Sequence, residues 1–134
     1  MVPDSLRRWF VVHFWADILF AVPLLVAPVW FLGLLGWPCV DPISARLVGA
    51  ALVGIGVESY LGRNAGVESF RAMLNLKVLW SATATLGILV SQLEGGPAMG
   101  WGFFAIFLGF NILWTSYRLR LGAVADPPAT PGRT

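Results

Sequence analysis

Apolar residues in this chain do not alternate with polar ones on a single face; they run almost unbroken through residues 9–30, 43–62, 70–92 and 97–118. Each stretch is close to the roughly 20 residues that an α-helix needs to cross the hydrocarbon of a bilayer. Short polar or glycine-rich breaks separate them: Gly62-Arg63-Asn64-Ala65-Gly66 between the second and third, and Glu94-Gly95-Gly96-Pro97 between the third and fourth. The pattern predicts an all-α, polytopic membrane four-helix bundle occupying residues 1–121. From residue 122 the sequence GAVADPPATPGRT cannot support a core, so 122–134 reads as a disordered cytoplasmic tail.

Local signals refine the first half. Pro23 should kink the first span, and Pro28 should end or redirect it. Residues 29–37, VWFLGLLGW, are too few to cross a membrane and contain two glycines, which predicts a short interfacial or re-entrant piece. Asp41-Pro42 supplies an N-cap followed by proline at the first helical position, a start signal for the second span. That span carries Ala45, Gly49, Ala50, Gly54 and Gly56, small residues that let a neighbouring backbone come close. Ala50 and Gly54 share a face with Glu58 and Gly62, so Glu58 is expected to lie against another helix.

Composition agrees with the pattern: 57% of the residues are hydrophobic and 12% charged, against about 45–50% and 25% in soluble domains. Four spans consume nearly the whole chain, which leaves no room for a soluble catalytic domain. The net charge is +2, yet the basic residues sit at segment ends and form no stripe, so a nucleic-acid partner is not expected. Arg7, Arg8, Arg63, Arg71, Arg118 and Arg120 flank ends that would share one side, while Arg46 stands alone on the other. By the positive-inside bias this places both termini and the central loop in the cytoplasm, the chain being a multi-pass protein of the cell's inner (plasma) membrane. The first span is long, contains His13 and Asp17, and lacks a small-residue cleavage site, so it reads as a retained helix and not as a signal peptide. Cys39 is the single cysteine.

The candidate chemistry lies in the polar residues inside the spans. Counting about 1.5 Å per residue from the cytoplasmic ends puts His13 and Glu58 about 6 Å deep, Asn75 and Asn111 about 9 Å, and Asp17 and Lys77 about 12 Å. Polar side chains from all four helices in one inner-leaflet layer should face each other, because a charge facing lipid at depth costs about 2.5 kcal/mol or more. His13 and Asp17 are four apart, on one face, where the imidazole can donate to the carboxylate; a structural hydrogen bond and a proton-handling pair both fit. Lys77 can pair with Asp17 or snorkel to the headgroups, and it stands about 200° around the helix from Asn75, so the two cannot enter one cavity together. Glu58, Asp17, His13, Asn111, Asn75 and Lys77 are therefore the candidate ligand-binding or proton-handling residues. One histidine among carboxylates is a poor zinc or iron donor set; no metal, cofactor or catalytic residue is assigned.

The run from APVWFLGLLG through Asp-Pro to RLVGAALVGIGVESYLGRNAG, followed by an arginine-bearing third span, resembles small bacterial four-helix membrane proteins of unknown function. More distantly, a four-span bundle with buried acids and many aromatics is similar to the sterol-isomerase and sigma-2-receptor group. These resemblances imply a fold more than an activity. The functional expectation is a binding or transport module for a small lipophilic or cationic molecule in an inner-leaflet polar cavity. The alternative is an accessory or assembly subunit whose glycine-stepped face docks on a larger membrane complex or a second copy. No nucleophile and base at recognisable spacing and no phosphate loop point to an enzyme.

Overall fold

The computed structural model describes residues 1–123. Its described residues form five α-helices: α1 Asp4–Val26, α2 Pro28–Leu34, α3 Pro42–Leu61, α4 Val67–Leu93 and α5 Met99–Ala123, with a 3₁₀ turn at Gly62–Asn64. All but α2 are long and apolar enough to cross a membrane. The chain is thus an all-helical bundle of four candidate membrane spans.

The spans extend beyond the apolar runs at several ends. α1 begins at Asp4 and not at residue 9, because Asp4, Ser5, Arg7 and Arg8 are accommodated as a polar first turn. It stops at Val26, where Ala27 leaves helical geometry and Pro28 opens α2; the span expected over 9–30 therefore divides at Ala27. α5 runs through Ala123, two residues into the stretch expected as a tail, and the rest of that tail lies outside the described residues. Asp41 caps α3 as expected, accepting from the backbone N–H of Ile43 at 3.2 Å and of Ser44 at 3.0 Å, with the Ser44 hydroxyl also donating to it. These bonds to the charged form hold the exposed Asp41 carboxyl below its ordinary range, the Ser44 hydroxyl first among them. Gly36 and Gly95 take left-handed φ angles of 90° and 95°, two residues past the ends of α2 and α4, where a side chain would be strained.

The helices associate as two close pairs, α1 with α3 and α4 with α5. Glycine sets the first. A Cβ on Gly49 would stand 3.1–3.3 Å from Leu25, Leu24 and the Ala21 carbonyl, and one on Gly56 would stand 2.8 Å from the Cβ of Asp17. Arg46 ties the same pair at the α2 end by donating to the Leu25 carbonyl at 3.1 Å. Polar clamps set the second pair. Asn111 donates to the Val78 carbonyl and the Ser81 hydroxyl, both at 3.0 Å, and Arg71 donates to the Leu121 carbonyl at 3.0 Å.

The two pairs meet at the end that carries most of the arginines, here the arginine end. Leu6, Phe10, Phe70, Leu74, Trp114 and their neighbours form a dry cluster there. Arg7 reinforces it, donating to the Arg63 carbonyl at 2.6 Å with its guanidinium 5.2 Å from the Phe70 ring. A smaller cluster of Ala21, Leu24, Ala45 and Leu52 lies within the α1–α3 pair toward the α2 end. Between the pairs, beyond the arginine-end cluster, the bundle is not filled.

Candidate functional site

Buried positions recur along each helix at steps of three and four: Leu6, Phe10, His13, Asp17, Ala21 and Leu24 on α1, and Phe70, Leu74, Lys77, Ser81 and Thr85 on α4. This is the spacing of a seam between helices. Because His13, Asp17 and Lys77 fall on these seams, the packing that buries Phe10 and Phe70 also carries the charges inward. All three are nearly fully buried.

They form one cluster. Lys77 Nζ lies 3.1 Å from His13 Nδ1, and Asp17 Oδ2 lies 2.8 Å from the same nitrogen. The Asp17–Lys77 link is therefore made through the imidazole. A single ring nitrogen cannot serve both neighbours at once: with a proton it donates to Asp17, and without one it accepts from Lys77. Asp17 Oδ2 has no well-directed hydrogen bond among the described residues despite its short approach. Direction and not distance matches the second arrangement: Asp17 makes the shorter approach, but the contact with hydrogen-bond geometry is that of Lys77 donating to a bare Nδ1. The ammonium is further held 5.0 Å from the Phe10 ring and 5.1 Å from the Trp114 ring, an aromatic enclosure that favours a cation in apolar surroundings. The imidazole stands edge-on to Phe110 and Trp114.

Gly56 completes the cluster from the α3 side, its bare Cα leaving the space that the Asp17 side chain fills. The Ser81 hydroxyl donates to the Lys77 carbonyl at 2.7 Å and receives Asn111, which ties α5 to the turn of α4 bearing Lys77. Asn111 supports the site from behind and does not line the cavity.

The other candidates lie elsewhere. Glu58 is exposed on α3; the face of α3 that packs is Ala45, Gly49, Leu52, Gly56 and Ser59, one position away. The two arginines that follow it in the sequence are engaged otherwise: Arg71 with Glu68 at 2.9 Å, Arg63 with the Tyr60 carbonyl and ring. Asn75 is exposed and accepts from Arg118 at 2.6 Å, on the far side of α4 from Lys77. With α1 starting at Asp4, His13 is about 14 Å and Asp17 about 20 Å from that end of the helix. Asp4 to Arg8 precede the apolar run from which the depths of about 6 and 12 Å are counted, and they account for the difference.

His13, Asp17, Lys77 and Ser81 stand at one end of a cavity of about 410 Å³ between the helix pairs, a volume within the usual range of ligand sites. Its walls are mostly apolar, with Phe20, Trp80, Phe103 and Phe107 among them, and Gln92 lies at the far end. Gln92 was not anticipated from the sequence; its amide donates to the Pro97 carbonyl at 3.0 Å in a niche bounded by Gly96 and Gly100. The cavity therefore extends away from the arginine end toward α2. Chemically, the charged end offers one donor cation, one acceptor anion and an imidazole that can pass a proton between them. Among the described residues no third histidine, cysteine, aspartate or glutamate joins His13 and Asp17 as a metal-binding group.

Comparison of the chain with protein-family models, with curated proteins and with solved structures finds no match. What the fold and the cavity define is a class: a helical bundle of four candidate membrane spans with a buried charge cluster at the foot of an apolar chamber.

Proposed function

We propose that the chain is a binding module for a small lipophilic molecule, held between the two helix pairs with its polar end at His13, Asp17 and Lys77. One observation carries this: the charged side chains converge on one end of a 410 Å³ cavity whose remaining walls are largely apolar. Close-packed interiors leave few voids larger than a water molecule, so a space of this size between the helix pairs supports a ligand-binding reading. Lys77 argues against a cationic molecule, since its ammonium stands where the ligand's charge would go. The unequal approaches to His13 Nδ1 give the module a means of coupling occupancy to proton position, as a proton-linked carrier requires.

The arginine end is proposed to face the cytoplasm, by the same positive-inside bias, in the inner membrane of a bacterial cell. Mass spectrometry of the protein purified in mild detergent or nanodiscs tests the function. A lipophilic molecule bound to the wild type and lost from Asp17→Asn supports it. A chain that carries no small molecule and leaves the membrane only with a larger complex supports an accessory role instead.

A further inference from the structure

We propose that the cavity takes a single hydrocarbon chain with an uncharged, hydrogen-bonding head, and that this molecule loads sideways from the bilayer through the seam between α3 and α4 at Gly87. The proposal rests on the site assigned above; the ligand's shape, the neutrality of its head and its route are new.

Shape follows from dimensions. Lys77 and Gln92 mark the two ends of the cavity, and fifteen residues of α4 separate them, about 22 Å along the helix. Spread over that length, 410 Å³ makes an elongated slot and not a round chamber. One leaflet of hydrocarbon is about 15 Å thick, so the slot is long enough for one lipid chain laid along it.

The head follows from charge balance. Lys77 and Asp17 cancel one another beside a neutral imidazole. A ligand bringing a net charge would leave one unit uncompensated in apolar surroundings, where isolated ions are strongly disfavoured. A hydroxyl, carbonyl or amide avoids this: its oxygen accepts from Lys77, and a hydroxyl or N–H donates to Asp17 Oδ1, since Oδ2 is enclosed against His13.

The route follows from what closes each side. The arginine end is sealed by Phe10, Phe70 and Trp114, whose rings touch. Between α1 and α5 the Phe20 and Phe103 rings stand 5.6 Å apart, and Phe31 of α2 and Trp37 beyond it close on them at 6.0 Å and 5.8 Å between ring centres. The α3–α4 side has no ring pair among the described residues, only Trp80 packed against the cluster of Ala45 and Leu52. Val48, Gly87 and Ser91 all line the cavity and are all exposed on the outer surface, and a Cβ added to Gly87 would meet nothing within 4 Å. A lipid chain lying against this seam faces an opening bordered by a residue with no side chain.

The test uses the full chain in nanodiscs with hexadecan-1-ol carrying a diazirine at its chain end, and cross-linked residues mapped by mass spectrometry. Two parallel probes carry the same chain with a carboxylate or a quaternary ammonium head. Rates are compared among the wild type, Gly87→Trp at the seam and Gly54→Trp, an exposed α3 position where an added Cβ also meets nothing within 4 Å. Thermal melting verifies that both variants fold, and Gly87→Leu replaces Gly87→Trp if that variant does not. We expect the alcohol to label Phe103 and Phe107 in preference to the charged probes, and Gly87→Trp to slow that labelling about tenfold, a barrier of 1.36 kcal/mol, while Gly54→Trp leaves it unchanged. Equal rates in Gly87→Trp and wild type would overturn the route and leave the site standing. Preferential labelling by the acid or the ammonium would overturn the neutral head. Failure of all three probes to reach the cavity walls would overturn the site itself.

Discussion

Gly56→Ala is the smallest change that reaches the charge cluster, since it adds one methyl group without touching any polar atom. The added Cβ would stand 2.8 Å from the Cβ of Asp17 and 3.2 Å from its Oδ2. Carbon atoms pack at about 3.5–4.0 Å, so α3 must retreat from α1 by roughly 0.7 Å or more. The Asp17 Cβ is fixed to the backbone and cannot swing aside, which makes this a displacement of helices and not of a rotamer. Overpacking of this kind costs about 1–3 kcal/mol. Against it stands the higher helix propensity of alanine, about 1 kcal/mol. Gly54→Ala provides the matched control, because it is the same exchange two residues away with nothing within 4 Å of the new Cβ. Reversible unfolding in detergent should therefore place Gly54→Ala at or above the wild type and Gly56→Ala below Gly54→Ala by about 1–3 kcal/mol. The His13 ring resonances should move only in Gly56→Ala. Equal stability of the two variants would refute the close α1–α3 approach at Asp17 on which the cluster depends.

Four further outcomes follow from the same structure. Lys77→Met should lower stability by about 3–5 kcal/mol, as expected when one member of a buried charge pair is lost, and adding Asp17→Asn should restore much of it; additive single effects in this double-mutant cycle would dissociate the pair. Asn111→Leu removes two hydrogen bonds between α5 and α4 and should cost about 1 kcal/mol at the roughly 0.6 kcal/mol typical of such bonds in membranes, whereas Glu58→Gln should change ligand retention and stability little. Asp41 contributes to the start of α3 through its charged form, with its carboxyl held low by Ser44 and Ile43. That contribution is present above the ordinary carboxylate range and is lost as pH falls through the depressed value, so amide exchange at Ile43 and Ser44 should quicken in acid and do so at all pH values in Asp41→Ala. Cys39 is exposed and is the only cysteine; a membrane-impermeant maleimide should label it in spheroplasts with the plasma membrane intact, and labelling only after lysis would reverse the proposed orientation.

The spans were legible because hydrophobic length is a direct physical requirement of a bilayer, and a turn as glycine-rich as Glu94-Gly95-Gly96-Pro97 leaves little choice of boundary. Polar helix ends were not, since Asp4 to Arg8 extend α1 beyond the apolar run and hydropathy is blind to them. The His13–Asp17 pair could be read from its four-residue spacing alone. Which polar residues face inward required the register of packing, and here α3 offers two stripes of small residues: Ala50 and Gly54 with Glu58, and Ala45 and Gly49 with Gly56. The second packs, and it turns Glu58 outward and Ser59 inward. A signal for this was present in the three-and-four spacing shared by the α1 and α4 seams, which selects Lys77 over Asn75 as well as Ser59 over Glu58. The cavity was beyond reach of the sequence, because a void arises from how far apart two helix pairs stand, and no residue encodes that distance by itself.

The chain contains one histidine and one lysine, so isotope labelling of these two residue types gives one imidazole and one side-chain amine without assignment. Magic-angle-spinning NMR of the labelled protein in lipid bilayers measures the distance between Lys77 Nζ and His13 Nδ1 directly. The charge cluster requires a through-space contact corresponding to about the 3.1 Å of the structure, with the Nδ1 shift of a nitrogen that carries no proton. A lysine signal with the exchange behaviour of a headgroup-exposed amine and no contact with the imidazole would contradict it.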